Sequence, residues 1–141
     1  VGRKTLRDGG ETANRLADMI QKTENELANG SPAAQLVGVR LTAARTAFQS
    51  AVNHLLSLGK ENANAAFGAG VPYLMLAGNL VSGWQLGRAL LAAEASHDAD
   101  PEFAAAKIAT ARFYADHILG DAELQCRRII DGQASLLGAV L

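Results

Sequence analysis

The stretch of residues 71–93 (VPYLMLAGNLVSGWQLGRALLAA) constrains the fold most, because it is apolar or small almost all the way round and its only charge is Arg88. A surface helix shows one apolar stripe, whereas a helix that is apolar on every side lies inside a larger packed body or a membrane. Polar residues such as Asn79 and Ser82 interrupt the stretch, so no run of about 18 apolar residues remains to span a bilayer. The stretch therefore predicts a central, most-buried helix with neighbours on all sides, in which Trp84 is largely covered.

The composition of the whole chain also favours helices. Of the 141 residues, 49% are hydrophobic and only 5% are aromatic, and the hydrophobic residues are mostly Ala and Leu. Ala and Leu favour helices, and the β-branched and aromatic residues that strands prefer are scarce. Together with a length that suits one domain, these proportions predict a single all-α fold.

Charge and cysteine content limit the partners and the compartment. Thirteen basic and fourteen acidic side chains give a net charge of -1, which provides no basic field for phosphate groups, so we expect no binding to nucleic acid. The single cysteine, Cys126, excludes an internal disulfide and is typical of a reducing compartment. We therefore expect a cytoplasmic protein without a membrane span.

The first residues, VGRKTLRDGG, lack the apolar core of a signal peptide and do not begin with Met. They are typical of the middle of a longer polypeptide. We therefore expect residues 1–10 to be a linker from a missing upstream core and residues 11–141 to form a four-helix domain.

Four segments have helical periodicity, at about residues 11–29, 32–58, 71–96 and 101–131. The expected boundaries are a left-handed Asn29-Gly30 turn, a Ser31 N-cap followed by Pro32, a stop at Gly59, an N-cap at Asp98 or Asp100, and a stop at Gly132. One further helical turn is expected at residues 64–67 and a bend at Gly120, and nothing is predicted for residues 133–141. Because the links are short, the simplest architecture is an up-down four-helix bundle.

A metal or haem site is the first function that a helical bundle suggests. A carboxylate-bridged di-iron site needs a Glu from each of two helices and a Glu-x-x-His pair from each of the other two. This chain has one such pair, Glu94 and His97, and the second predicted helix contains no Asp or Glu. We therefore expect a solvated helix end there and no metal. A haem clamp formed by His54 with His97 or His117 is the alternative, but a lone His on a helix is more often structural or exposed.

Two further polar groups allow both a chemical and a structural hypothesis. Arg127 and Arg128 favour a lowered thiol pKa at Cys126, but no His or Asp partner is adjacent, so a plain, partly buried thiol is the favoured interpretation. Arg112 and Asp116 stand one helical turn apart and are expected to form an ion pair. No residue is assigned as catalytic, as cofactor-binding or as a metal ligand.

Close packing and self-association are the remaining expectations. The Gly83-x-x-x-Gly87 pair is expected to let the apolar helix approach a neighbour closely. The second and fourth helices also carry apolar residues outside their main stripes: Val39, Val52, Leu56, Phe103 and Phe113. One core can hardly bury all of them, so we expect exposed patches and a two-fold homodimer.

Three segments spread over nearly the whole chain carry a family resemblance. They are residues 1–4 with 7–10 (VGRK and RDGG), residues 72–78 running into 82–84 (PYLMLAG and SGW), and residues 106–117 (AKIATARFYADH). Together they resemble the C-terminal helical domain of bacterial acyl-CoA dehydrogenases of the 3-methylmercaptopropionyl-CoA dehydrogenase-like subgroup. The chain departs from that pattern at Gly120, where Pro is expected, so the bend there is expected to be softer.

The resemblance implies a parent flavoprotein that binds FAD and oxidises an acyl-CoA thioester between Cα and Cβ, with a Glu base in its core. No position of this chain matches that Glu or the cofactor site. The resemblance therefore implies a non-catalytic accessory domain that holds no cofactor and packs on the catalytic core of the same polypeptide or on a neighbouring subunit. The alternative is an independent helical binding or scaffold domain with no enzyme attached.

Overall fold

The computed structural model describes residues 2–132 and Ser135, and the regular structure within these residues is entirely helical. The α-helices are α1 (Gly2–Arg7), α2 (Glu11–Ala28), α3 (Pro32–Glu61), α4 (Ala63–Gly68), α5 (Gly70–Ala95), α6 (Pro101–His117) and α7 (Ala122–Asp131). A 3-10 turn (Leu119–Asp121) separates α6 from α7 and replaces the bend expected at Gly120. The predicted all-α class is confirmed.

The helices are arranged around a central pair, α3 and α5, each of which contacts every other element of the described chain. α2 packs on both members of this pair but does not touch α6 or α7, so it lies on one side of the pair while α6 and α7 lie on the other. A closed ring of four helices would bring α2 against the last helix. The up-down four-helix bundle is therefore not confirmed, and α5 shares the central position with α3.

Side-chain caps begin α3 and α6 as the sequence predicts. Ser31 Oγ accepts a hydrogen bond from the backbone N–H of Ala34 at 3.1 Å, with Pro32 at the start of the helix. Asp100 Oδ1 accepts a hydrogen bond from the N–H of Phe103 at 3.0 Å, so Asp100 is the cap that the chain uses. These caps satisfy amide groups that have no partner inside the helix.

The stop expected at Gly59 is wrong, because α3 continues through it to Glu61. A Cβ placed on Gly59 would lie 2.5 Å from Leu6 Cδ2. This glycine makes room for α1, a helix that the sequence does not predict. Glycine has two roles in helices, ending them and allowing close approach, and periodicity alone does not separate the two.

The turn between α1 and α2 explains why two of the spare apolar residues are covered. Gly10 has a φ angle of 82°, a conformation that glycine adopts without strain. A Cβ on Gly10 would lie 2.9 Å from Leu56 Cδ1 and 3.3 Å from Val52 Cγ1. Val52 is buried and Leu56 half-buried beneath this turn. The expectation that one core cannot bury all five spare apolar residues is confirmed, because Val39, Phe103 and Phe113 remain exposed.

The link between α2 and α3 also differs from the expectation. Positive φ angles occur among the described residues only at Gly9 and Gly10, so the Asn29-Gly30 turn is not left-handed. A Cβ on Gly30 would lie 2.7 Å from the Cβ of Ala34. The glycine is therefore accommodated because it is small rather than because of its backbone freedom.

Trp84 is largely covered, as predicted, with 8% of its surface exposed. Its indole Nε1 donates a hydrogen bond to Thr23 Oγ1 at 2.8 Å, so the buried N–H is satisfied by α2. The guanidinium of Arg88 lies 5.6 Å from the centre of the ring. The one charge of the apolar stretch thus lies over the tryptophan at the surface rather than in the core.

The Gly83-x-x-x-Gly87 pair lets α5 approach two neighbours. A Cβ on Gly83 would lie 2.7 Å from Leu119 Cδ1, and a Cβ on Gly87 would lie 3.2 Å from Leu27 Cδ1. Leu27 also lies against Gly38, where the distance to an added Cβ is 3.1 Å. The close approach predicted from the sequence is confirmed: the 3-10 turn packs against Gly83 and α2 packs against Gly87.

The outward side of the first half of α5 is uncovered. Val71, Leu74 and Met75 are 75%, 52% and 53% exposed, and Gly78 lies one turn further along the same side. We call these four residues the α5 apolar face. The expectation of neighbours on all sides is therefore wrong for this half of the helix. None of the described helices is long and apolar enough to cross a membrane.

Candidate interaction surface

The Glu94-x-x-His97 pair serves two separate structural roles. Glu94, half-buried near the end of α5, accepts a hydrogen bond from Ser31 Oγ and so ties this end to the start of α3. His97 is exposed in the next turn, with its Nδ1 3.6 Å from Asp98 Oδ1. The expected solvated helix end is correct for His97 and wrong for Glu94. Within residues 2–132 and Ser135, no group of three His, Cys, Asp or Glu residues is placed to hold a metal ion.

The other two histidines lie in unlike surroundings. His54 is half-buried on α3, and its Nε2 is enclosed with no hydrogen-bond partner among the described residues. His117 is exposed in the last turn of α6, where its ring centre lies 4.4 Å from that of Phe113. The three histidines therefore lie on α3, after α5 and on α6, each with its own neighbours.

Cys126 is buried on the inner side of α7. Burial raises the pKa of its thiol, and the negative charge of Asp131 adds to the increase. A raised pKa leaves less of the reactive thiolate at neutral pH. The structure therefore supports the plain, buried thiol rather than a thiol activated by Arg127 and Arg128.

Asp116 does not pair with Arg112, although the two stand one turn apart. Its Oδ1 lies 3.5 Å from Nε of Arg40 on α3, so this carboxylate links α6 to the central pair of helices. The expected pair is wrong because helical spacing does not reveal a competing partner on a neighbouring helix. Both groups of the observed pair are well exposed, so its contribution is at most about 1 kcal/mol.

A buried ion pair between α2 and α3 is not apparent in the sequence. Arg45 donates from Nε and Nη2 to both carboxylate oxygens of Glu24, at 2.7 and 2.9 Å, and from Nη1 to Gln49 Oε1 at 2.8 Å. Both charged side chains are almost fully buried. The two-point geometry satisfies both oxygens, which a buried charge requires. The two residues are 21 apart in the chain, so no helical period relates them.

A cleft of about 480 Å³ opens where α1 and α2 meet the central pair. The lining includes charged residues from the start of the chain and apolar residues of the helices: Lys4, Arg7, Asp8, Leu16, Phe48 and Ala77. Tyr73 Oη and Thr5 Oγ1 share a hydrogen bond of 3.0 Å beside it. Burial raises the pKa of Tyr73 above its ordinary value of 10.0. The sequence does not predict the cleft, because the charged residues that line it lie within residues 1–10, the expected linker.

The α5 apolar face differs from these polar groups because it has no structural role within the described chain. The sequence contains no charged residue between Glu61 and Arg88, so the surroundings of the face along the chain are also uncharged. Contiguous exposed apolar residues on a folded protein mark sites of contact with another body. The α5 apolar face is therefore the candidate functional site, and its exposed apolar side chains suit packing against another body.

Comparison with known proteins identifies the family of the chain. Residues 13–139 match the family described as acetyl-CoA dehydrogenase C-terminal like. The whole chain aligns, at 49% identity over 143 residues, with a 3-methylmercaptopropionyl-CoA dehydrogenase of Ruegeria pomeroyi, and it spans 24% of the length of that protein. The resemblance predicted from the three sequence segments is confirmed. The chain belongs to the acetyl-CoA dehydrogenase C-terminal-like family.

Proposed function

We propose that this chain is the accessory C-terminal helical domain of an FAD-dependent acyl-CoA dehydrogenase and that it serves packing or subunit assembly. One observation carries the proposal: the chain matches a named dehydrogenase along its whole length but spans only 24% of it. In such a parent enzyme, the other domains hold the flavin and oxidise the thioester between Cα and Cβ. Residues 1–10 then connect this core to the domain of residues 11–141, with α1 folded against α3.

The starts of the helices support this division of roles. FAD carries a pyrophosphate, and proteins hold such groups readily with the free N–H groups of a helix N-terminus. In α2, α3, α6 and α7, side-chain caps or carboxylates occupy this position: Asp8, Glu11, Ser31, Asp100, Asp121 and Glu123. A carboxylate there repels a phosphate group. The starts of these four helices do not fit a phosphate group, which supports assigning the redox chemistry to the parent's core.

The proposal gives the domain two partners and a compartment. The first partner is the catalytic core of the same polypeptide, and the second is another copy of the chain. Exposed apolar residues on α3 and α6 support the homo-oligomer: Val39, Phe103 and Phe113. Exposed aromatic rings are typical of protein interfaces. The single, buried cysteine is consistent with a cytoplasmic location.

The full-length parent polypeptide tests the proposal. We expect the purified parent to show the absorbance of bound flavin, and we expect an acyl-CoA added without oxygen to bleach it, because the flavin accepts the hydride. Deleting the domain should leave the flavin bound to the folded fraction and change the assembly state instead. A parent without flavin, or a natural polypeptide no longer than this chain, would favour the independent binding or scaffold domain.

A further inference from the structure

The interior glycines of the two central helices follow one packing rule with one exception. Glycine inside a helix is destabilising relative to alanine, so it is retained where another group must come close. Four of the five interior glycines of α3 and α5 meet a leucine within 3.2 Å of an added Cβ: Gly38, Gly59, Gly83 and Gly87. The leucines are Leu6, Leu27 and Leu119, and each comes from a different element. In these helices, an interior glycine therefore marks the place where a leucine of another element lies.

Gly78 is the exception. Apart from the nearby backbone of its own helix, a Cβ placed on Gly78 would have no atom of the described residues within 4 Å, although Gly78 lies in the middle of α5. Nothing within the described chain explains why alanine is not used at this position. Gly78 is also the small residue at the C-terminal end of the α5 apolar face, one turn from Leu74 and Met75. Two independent observations, the exposed apolar side chains and the unexplained glycine, thus coincide on one surface.

We propose that the α5 apolar face packs against the remaining part of the parent polypeptide, with an apolar side chain of that part lying on Gly78 as the leucines lie on the other four glycines. This inference rests on the proposed function. The occupant is inferred from length, since about three quarters of the aligned dehydrogenase lies outside the match. The surface that meets this face is apolar and uncharged, because the face offers no charge with which to pair.

The two methionines of the chain provide a test with a built-in control. Met75 on the face is 53% exposed and Met19 on α2 is 50% exposed, so peroxide should oxidise both at similar rates in the dilute 141-residue chain. In the full-length parent, we expect Met75 to be oxidised at least about tenfold more slowly, with Met19 unchanged, since sulfoxide formation follows exposure. Mass spectrometry of the two peptides measures both rates. Equal oxidation of both methionines in the parent would overturn the proposal.

A pair of variants separates this contact from a general loss of structure. Gly78→Leu adds a side chain at the proposed contact, and Ala92→Leu adds the same side chain at an exposed position in the second half of α5. Neither should lower the melting temperature of the 141-residue chain, because both positions are open there. In the parent, only Gly78→Leu should restore fast oxidation of Met75. Protection of Met75 that persists in Gly78→Leu would contradict the proposed role of the glycine.

The remaining outcomes are also distinguishable. Protection of Met75 that disappears when the parent is diluted would assign the face to a second copy of the chain and overturn the intramolecular contact. Flavin binding and acyl-CoA oxidation are measured separately on the same sample. A protected Met75 in a parent without flavin would refute the proposed enzyme and leave the packing inference intact. An oxidised Met75 in an active flavoenzyme would refute the packing inference and leave the proposed enzyme intact.

Discussion

At the scale of single residues, leucines lying on glycines set how closely the helices pack. Leu27 of α2 lies between Gly38 of α3 and Gly87 of α5, so one side chain holds α2 against both members of the central pair. Because glycine has no Cβ, the leucine branch reaches the helix backbone and the helix axes come close together. The polar Trp84–Thr23 hydrogen bond joins the same three-helix region and satisfies the one indole N–H of the core.

Burial on α5 predicts very different costs for truncating three of its leucines. Leu80 is fully buried, and Leu80→Ala should lower the free energy of unfolding by about 2–5 kcal/mol, since it leaves a cavity in a packed core. The same loss is expected for the fully buried Leu90. Leu74 is the matched control, because it is half exposed, and Leu74→Ala in the 141-residue chain should change stability by less than about 0.5 kcal/mol. Urea unfolding measures all three. Equal, small losses would show that α5 is not central.

The raised pKa of the Cys126 thiol predicts a pH dependence of stability. The folded pKa lies above the ordinary value of 9.0, so the unfolded state loses its proton first as the pH rises. The stabilisation from burying the neutral thiol is thus complete below pH 9.0 and is lost as the pH rises through the folded pKa. We expect the free energy of unfolding of the natural chain to fall relative to that of Cys126→Ala above this pH. A constant difference between the two would contradict a buried, neutral thiol.

At the scale of helices, periodicity and caps predict the long elements, whereas a short helix and several glycines account for the errors. The first three predicted helices agree with α2, α3 and α5 to within three residues at each end, and Asp100 begins α6 as one of two predicted caps. α1 was missed because its six residues are too few to show a helical period. The stop predicted at Gly59 is wrong because the sequence does not distinguish a glycine that ends a helix from a glycine against which a leucine of another helix packs.

Two glycines on α5 predict opposite effects of the same substitution. A Cβ on Gly83 would lie within 3.0 Å of three atoms of the buried Leu119, so Gly83→Ala should lower the free energy of unfolding by about 1–3 kcal/mol through overpacking. Gly78 is open in the 141-residue chain, so Gly78→Ala should raise it by about 0.5–1 kcal/mol through helix propensity alone. Thermal or urea unfolding measures both changes. If both substitutions changed the free energy of unfolding in the same direction, the contacts at these glycines would not determine the effect of adding a Cβ.

At the scale of the whole molecule, the sequence predicts the family and the fold class but not that the α5 apolar face is exposed. Helical spacing predicts a pair between Arg112 and Asp116, but Asp116 pairs with Arg40 of α3 instead, because partners on different helices have no fixed spacing in the chain. The apolar residues of α5 suggested complete burial. Contacts within a domain and contacts with another domain use the same apolar residue types. The sequence therefore does not distinguish the two kinds of contact.

The exposed apolar residues of α3 and α6 predict self-association of the isolated chain. Val39, Phe103 and Phe113 remain exposed after folding, and such residues tend to pair across a two-fold interface. We expect light scattering at micromolar concentration to give the mass of a dimer. Replacing both phenylalanines with Gln should give a monomer with unchanged helix content. A strictly monomeric natural chain would refute the homodimer.

The central claim, that this domain belongs to a flavoenzyme but does not carry its chemistry, is tested most directly on the purified 141-residue chain. Mixed with excess FAD and passed through a desalting column, the chain should emerge without flavin absorbance, and it should not reduce a dye when an acyl-CoA is added. The full-length parent, run in parallel, should retain flavin and reduce the dye. Stoichiometric flavin on the isolated chain, or dye reduction by it, would contradict the account.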